Sequence, residues 1–227
     1  MTYILHIETA TKVCSVALSK DSHLLACKES NDLDYAHGEN LTLFIDEVMK
    51  EAQIDFKNLN AISVSSGPGS YTGLRIGVST AKGLCYALNI PLIAIDTLTS
   101  LAILAKEKHA NKNLCAVLDA RRMEVYNAIF APDGYLLKPI SADVIEATSY
   151  EMYLPFIVFG DGAEKLKAIW EDRNIAFDTS LFCSARGQIN LAHEKFKENK
   201  FEDVAYFEPF YLKDFMITSP KKKQDAK

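Results

Sequence analysis

The chain has 227 residues, 48% of them hydrophobic and 24% charged, which suffices for one large globular domain or two small ones. Its net charge of −5 argues against the basic face on which tight, autonomous binding of RNA or DNA depends. Its 5 cysteines (Cys14, Cys27, Cys85, Cys115, Cys183) include no C-x-x-C pair and read as reduced thiols, not as a disulfide frame or a zinc site.

Ile4-Leu5-His6-Ile7 reads as a short strand ending in the polar turn Glu8-Thr9-Ala10-Thr11-Lys12. Cys14, Val16 and Leu18 alternate with Ser15, Ala17 and Ser19, the pattern of a half-covered strand, and Leu24 to Lys28 supplies a third in an antiparallel meander. After a loop over 31–36, Leu41, Phe44, Ile45, Val48, Met49 and Ala52 recur at i, i+3, i+4, as in an amphipathic helix. His37 has no second histidine nearby to share a metal, so it is expected to cap the helix or hydrogen-bond at the surface.

Ile62 and Val64 form the central strand, which meets the turn Ser66-Gly67-Pro68-Gly69-Ser70 and a helix capped by Ser70 or Thr72. Asn89, Ile90 and Pro91 stop that helix, and Leu92 to Ile95 run on as a buried strand. A glycine turn before a helix invites a phosphate-loop reading, but the spacing matches neither G-x-G-x-x-G nor a Gly-Lys-Ser/Thr loop. On the helix, Leu74, Val78, Ala81, Cys85 and Leu88 form a core stripe beside a bare one of Gly73, Gly77, Thr80 and Leu84. Interior glycines cost about 1 kcal/mol each against alanine, so something must approach that stripe closely. It is either an element of the same chain or a helix of another subunit.

Thr97 to Lys108 is a further helix, and the polar break His109 to Asn113 marks a boundary. Strand, charged turn (Asp119 to Arg122) and strand then repeat the opening device, followed by a strand over Phe156 to Phe159, a helix over Ala163 to Trp170 and another capped by Ser184. Asp119, Arg121, Arg122 and Glu124 read as a solvated or interdomain salt-bridge turn more readily than as a catalytic cluster. The division that follows is a first lobe over 1–108, a second over 109–215 and a polar tail over 216–227 that holds the basic run Lys221 to Lys223. No apolar run reaches the roughly 18 residues needed to span a membrane, and the start leads straight into a strand, so a cytoplasmic location is expected.

The run from Ser66-Gly67-Pro68-Gly69-Ser70-Tyr71-Thr72-Gly73 to Gly83-Leu84 resembles the signature of the bacterial TsaB family, also called YeaZ. Asp119-Ala120-Arg121-Arg122-Met123-Glu124-Val125-Tyr126 and Glu208-Pro209-Phe210-Tyr211-Leu212-Lys213 resemble its other landmarks, so the likeness runs from Ile4 to about Lys213. The resemblance implies an α/β, two-lobed fold of the actin-like, sugar-kinase-like (ribonuclease H-like) plan, with mixed sheets flanked by helices. It implies a subunit without an active site or cofactor, partnered by the catalytic subunit TsaD and the ATPase TsaE. Together these add a threonylcarbamoyl group to the adenosine beside the anticodon of tRNAs that read codons beginning with A. The chain alone is then a homodimer that reaches tRNA only through the complex.

Actin-like kinases carry an aspartate in the opening turn, where this chain has Glu8. The competing reading is a small phosphotransferase or ATPase with Glu8 and Asp119 as metal-side carboxylates; a metallopeptidase lacks a third ligand. For the partner interface the expectation is the pair of helices carrying Leu41, Phe44, Ile45 and Val48 and Gly73, Gly77, Thr80 and Leu84, set side by side as half of a four-helix contact. On that view Gly77→Leu, overpacked by about 1 to 3 kcal/mol at the contact, abolishes partner binding and leaves the chain folded.

Overall fold

In the computed structural model the described residues are 1–30 and 37–213, without the side chains of His37 and Glu39. The expected 31–36 loop, the role of the His37 side chain and the tail with Lys221 to Lys223 lie outside the described residues.

The first half forms a sheet of β1 (Tyr3–Glu8), β2 (Cys14–Lys20), β3 (His23–Ser30), β4 (Ala61–Gly67) and β5 (Leu92–Asp96), in the order β3-β2-β1-β4-β5. β1, β2 and β3 are the antiparallel meander, whereas β1, β4 and β5 run parallel through the crossover helices α1 (His37–Glu51) and α2 (Tyr71–Leu88). After α3 (Thr97–Lys108), the second half repeats this plan with β6 (Asn113–Asp119), β7 (Glu124–Phe130), β8 (Leu136–Val144), β9 (Phe156–Phe159) and β10 (Ala176–Asp178), in the order β10-β9-β6-β7-β8. The weak repeat in the sequence is thus a duplicated topology, an α/β architecture of two mixed five-stranded sheets flanked by helices.

Strand pleating sorts the first sheet into two chemistries. Leu5, Ile7, Val16, Leu18, Ile62, Val64 and Leu92 share one face and pack against Leu41, Ile45, Val48, Val78, Ala81 and Cys85 of α1 and α2. The opposite face presents Ile4, His6, Glu8, Ser15, Ser19, Ser63 and Ser65, all buried. A half-covered sheet is therefore not what forms. The polar face lies under the 3-10 turn Ala185–Gln188 and helix α5 (Ile189–Lys197), which come from the far end of the chain. Its serines escape solvent because each finds a partner: Ser15 Oγ donates to Glu29 Oε1 (3.0 Å) and accepts from the Ala185 amide (2.9 Å).

The two halves exchange covers. α3, from the first half, buries Leu98, Leu101, Ala102 and Ala105 against Leu114, Ala116, Phe130 and Phe159 of the second sheet, while α5 packs Ala192 against Ile4, Ala61, Ile93 and Ile95 of the first. They meet at Gly187, where a β-carbon would overlap the Ser100 carbonyl. The other face of the second sheet closes over Trp170, whose ring meets Tyr150 and Phe156 edge-on. The helix expected over Ala163 to Trp170 is only the short α4 (Ala163–Leu166), continued as turns.

Candidate functional site

The glycine turn joins β4 to α2, and Ser70 is its cap: the Ser70 Oγ accepts from the Gly73 amide at 3.3 Å. At the far end Asn89 closes α2 in a left-handed conformation with φ 54°. The turn is pinned from both sides. The Ser70 amide donates to the Ala10 carbonyl (2.6 Å), and the Phe210 amide donates to the Ser66 carbonyl (2.7 Å). Gly67, at φ 109°, leaves room for the Phe210 carbonyl, which would stand 2.6 Å from a β-carbon there. This is why the Pro-Phe-Tyr-Leu segment near the C-terminus belongs to the same motif as the glycine turn. Beyond it the Tyr211 ring packs at a tilt against Tyr71 with centroids 5.0 Å apart, and the Arg75 guanidinium lies 4.0 Å from the Tyr71 ring centre.

At the turn between β1 and β2, three backbone amides are already engaged. Ala10 donates to Glu8 Oε1 (2.7 Å), Thr9 to Ser65 Oγ (3.4 Å) and Val13 to Thr11 Oγ1 (3.3 Å). Glu8 itself is fully buried, and burial pushes its carboxyl up to about 7. Oε2 of Glu8 has no hydrogen-bond partner. Asp119 sits instead on the exposed hairpin turn, where its Oδ1 accepts from the Arg121 amide (2.9 Å) and from Lys165 (2.5 Å). The phosphotransferase pair Glu8 and Asp119 is thereby split between a dry interior and a salt-bridged surface. Where the first and second halves of the chain meet, Thr11, Lys12, Gly160, Asp161, Thr179 and Cys183 line a cavity of about 120 Å³. Sites for drug-sized ligands and cofactors begin at roughly 300 Å³. No group of three or more His, Cys, Asp or Glu side chains among the described residues could hold a metal ion. No described helix is long and apolar enough to cross a membrane.

The residues expected at a partner interface divide into two sets. Leu41, Ile45, Val48, Gly73 and Gly77 are buried within the chain, and Phe44, Thr80 and Leu84 are half-buried. Gly77 corrects the expectation outright, because the group that approaches it belongs to the same chain. A β-carbon at Gly77 would overlap Thr9 Oγ1, which donates to the Gly73 carbonyl at 2.8 Å. The bare stripe is a groove for the β1–β2 turn. Side-by-side placement of α1 and α2 is as expected, and their outward side carries Leu43 (51% exposed), Gly83 and Tyr86 (86% exposed). Helical phase could have found these three: they lie opposite the buried positions of their own helices.

The family described as "TsaD: tRNA N6-adenosine threonylcarbamoyltransferase" matches residues 31–213. The chain is similar to the tRNA threonylcarbamoyladenosine biosynthesis protein TsaB of Escherichia coli (strain K12), at 27% identity over 93% of this chain and 94% of that protein. It is also similar to the TsaB of Buchnera aphidicola subsp. Schizaphis graminum, at 31% identity over 72% of this chain and 80% of the other. Among solved structures, YeaZ from Pseudomonas aeruginosa superposes with a TM-score of 0.80 at 25% identity, covering 93% of this chain and all (100%) of that one. Likeness over nearly the whole length places the chain in the TsaB (YeaZ) family of tRNA threonylcarbamoyladenosine biosynthesis proteins.

Proposed function

We propose that the chain is a non-catalytic subunit of the complex that makes threonylcarbamoyladenosine in tRNA. In this reading it acts in the cytoplasm and joins a TsaD-type catalytic subunit. It also works with a TsaE-type ATPase, in attaching the threonylcarbamoyl group to the adenosine beside the anticodon of tRNAs that read A-starting codons. The first lobe, 1–108, is the docking lobe, with 109–215 as the second and 216–227 as a tail. The observation that carries the proposal is the spent β1–β2 turn: amides that a phosphate would need are bonded to Glu8, Ser65 and Thr11, and the carboxylate beside them is buried. Isothermal titration with ATP and magnesium is therefore expected to give no binding heat, and the purified chain no ATP hydrolysis. Turnover that vanishes in Glu8→Ala or Asp119→Ala reverses the conclusion in favour of a phosphotransferase.

The docking face in this proposal is the outward side of α1 and α2, where half-buried Phe44, Thr80 and Leu84 border exposed Leu43, Gly83 and Tyr86. Exposed apolar side chains around a glycine allow a second helix pair to approach closely, and the same face serves for self-association when the catalytic subunit is absent. With a net charge of −5, tRNA is met through the complex and not by this chain alone. Leu43→Asp combined with Tyr86→Asp puts two charges on the face without touching the core. It is expected to weaken capture of the catalytic subunit at least tenfold, with circular dichroism unchanged. Undiminished capture by the folded double variant moves the docking site elsewhere.

A further inference from the structure

Five polar side chains lie end to end beneath α5. His193 Nε2 stands 2.9 Å from Ser19 Oγ, and Ser19 Oγ stands 2.7 Å from His6 Nε2. On the other side of the ring, His6 Nδ1 is 2.7 Å from Ser63 Oγ, whose hydroxyl donates to Gln188 Oε1 at 2.7 Å. Gln188 Nε2 donates to the backbone carbonyl of Ile7 at 2.8 Å. All five side chains belong to residues at most 3% exposed. The series joins the 3-10 turn and α5 to β2, β1 and β4, so it spans the junction made by the exchanged helix.

The direction of every bond follows from one fixed acceptor. A carbonyl cannot donate, so Gln188 must present its NH2 group to Ile7 and its oxygen to Ser63; the flipped amide would oppose two acceptors at 2.8 Å. Ser63 has a single proton and gives it to Gln188, so it can only accept from His6, which must carry its proton on Nδ1. The His6 ring is neutral, because burial first and the neighbouring His193 second hold it down to about 3. Its Nε2 is then a bare acceptor, which takes the Ser19 proton and leaves Ser19 to accept from His193 Nε2–H. The charged or titratable groups facing His193 are Asp21 from the β2–β3 turn, Lys197 on its own helix and His6 from β1.

We infer that His193, Ser19, His6, Ser63 and Gln188 form a proton-ordered clasp, all donating toward the Ile7 carbonyl, that fastens the helix contributed by the second half onto the first sheet. The order makes distant rings dependent on one another. Removal of Ser63 takes away the acceptor for His6 Nδ1–H, so the His6 proton moves to Nε2, where Ser19 accepts it. The Ser19 hydroxyl is then free to donate to His193 Nε2, and His193 must carry its own proton on Nδ1.

Nitrogen-15 NMR of the histidine rings in the full chain tests this directly. The native protein is expected to show His6 neutral as the Nδ1–H tautomer and His193 as the Nε2–H tautomer at pH 7, with both rings reversed in Ser63→Ala. A native His6 that is charged or protonated on Nε2 overturns the proposal whether or not the variant folds, and so does a folded Ser63→Ala with unchanged tautomers. The clasp itself is read by hydrogen exchange. Ser19→Ala should speed exchange of the α5 amides tenfold or more while those around Trp170 keep native rates; unaltered α5 protection shows that the chain orders protons without fastening the helix.

Discussion

Gly77→Leu is expected to cost the chain about 3 kcal/mol or more and to be recovered largely unfolded. Two contributions add. Forcing a side chain into a filled core costs about 1 to 3 kcal/mol, and here the space beyond the Gly77 α-carbon is already occupied by Thr9 Oγ1, with Ile7 Cγ2 3.5 Å from where a β-carbon would stand. Moving Thr9 aside also breaks its 2.8 Å bond to the Gly73 carbonyl, a buried interaction worth about 1 kcal/mol net, more if the carbonyl is left bare. Gly83 on the same helix is the control. It is exposed with nothing within 4 Å of a β-carbon, so Gly83→Ala should instead stabilise by about 0.5 to 1 kcal/mol through helix propensity alone. Urea melts followed by circular dichroism measure both. The cause is checked by a double-mutant cycle in which Thr9→Ala restores part of what Gly77→Ala loses. A Gly77→Leu chain with a native midpoint that no longer binds its partner would put the glycine at an intersubunit contact after all.

Much of the fold was legible in the sequence because its signals are local. The 3.6-residue stripe of Leu74, Val78, Ala81 and Cys85, the Ser70 cap and the Asn89 stop depend on residues within one helix, and each falls where expected. The repeat of strand, turn and strand after Asn113 is also a local pattern, and it carries the duplicated topology. What could not be read was long-range. Alternation of Cys14, Val16 and Leu18 with serines on β2 looks the same whether the serine side meets water or a helix 170 residues away, as Ser15 and Ala185 do. The approach to Gly77 was similarly ambiguous, since spacing announces that something comes close without saying whether it is Thr9 or a second subunit. The state of Glu8 needed both kinds of information. Glu8 ends β1 at a polar turn, but only the cover supplied by residues 185–197 explains why it is dry.

That dryness leads to the second large effect, a reversal of the pH dependence of stability in Glu8→Gln. Burial raises the Glu8 carboxyl from 4.5 to about 7 in the folded chain. Below pH 4.5 the folded and unfolded states are both protonated, and the full favourable contribution of the neutral acid is present. As pH rises toward 7 the unfolded chain ionises freely and the folded one does not, so that contribution is lost, to a total of about 3 kcal/mol. His6 works in the opposite sense. Its folded-state value falls from 6.5 to about 3, so it costs nothing above pH 6.5 and destabilises progressively as pH drops toward 3. Between pH 4.5 and 6.5 the two slopes oppose each other, and the native chain should show a nearly flat stability there. Glutamine is a close mimic of the protonated acid, since its oxygen can accept from the Ala10 amide while its NH2 group stands where Oε2 is unpartnered. In the variant the Glu8 slope disappears and the His6 slope is exposed. Urea unfolding at half-unit steps should find the variant more stable than the native chain by about 3 kcal/mol at pH 8. The gap should shrink to nothing near pH 4.5, with the variant losing about 1 kcal/mol for each unit of acidification below 6.5. If the variant is instead less stable than the native chain above pH 4.5 and the deficit fades on acidification, Glu8 is ionised and paired in the folded state, and the dry-interior account of Glu8 fails with it.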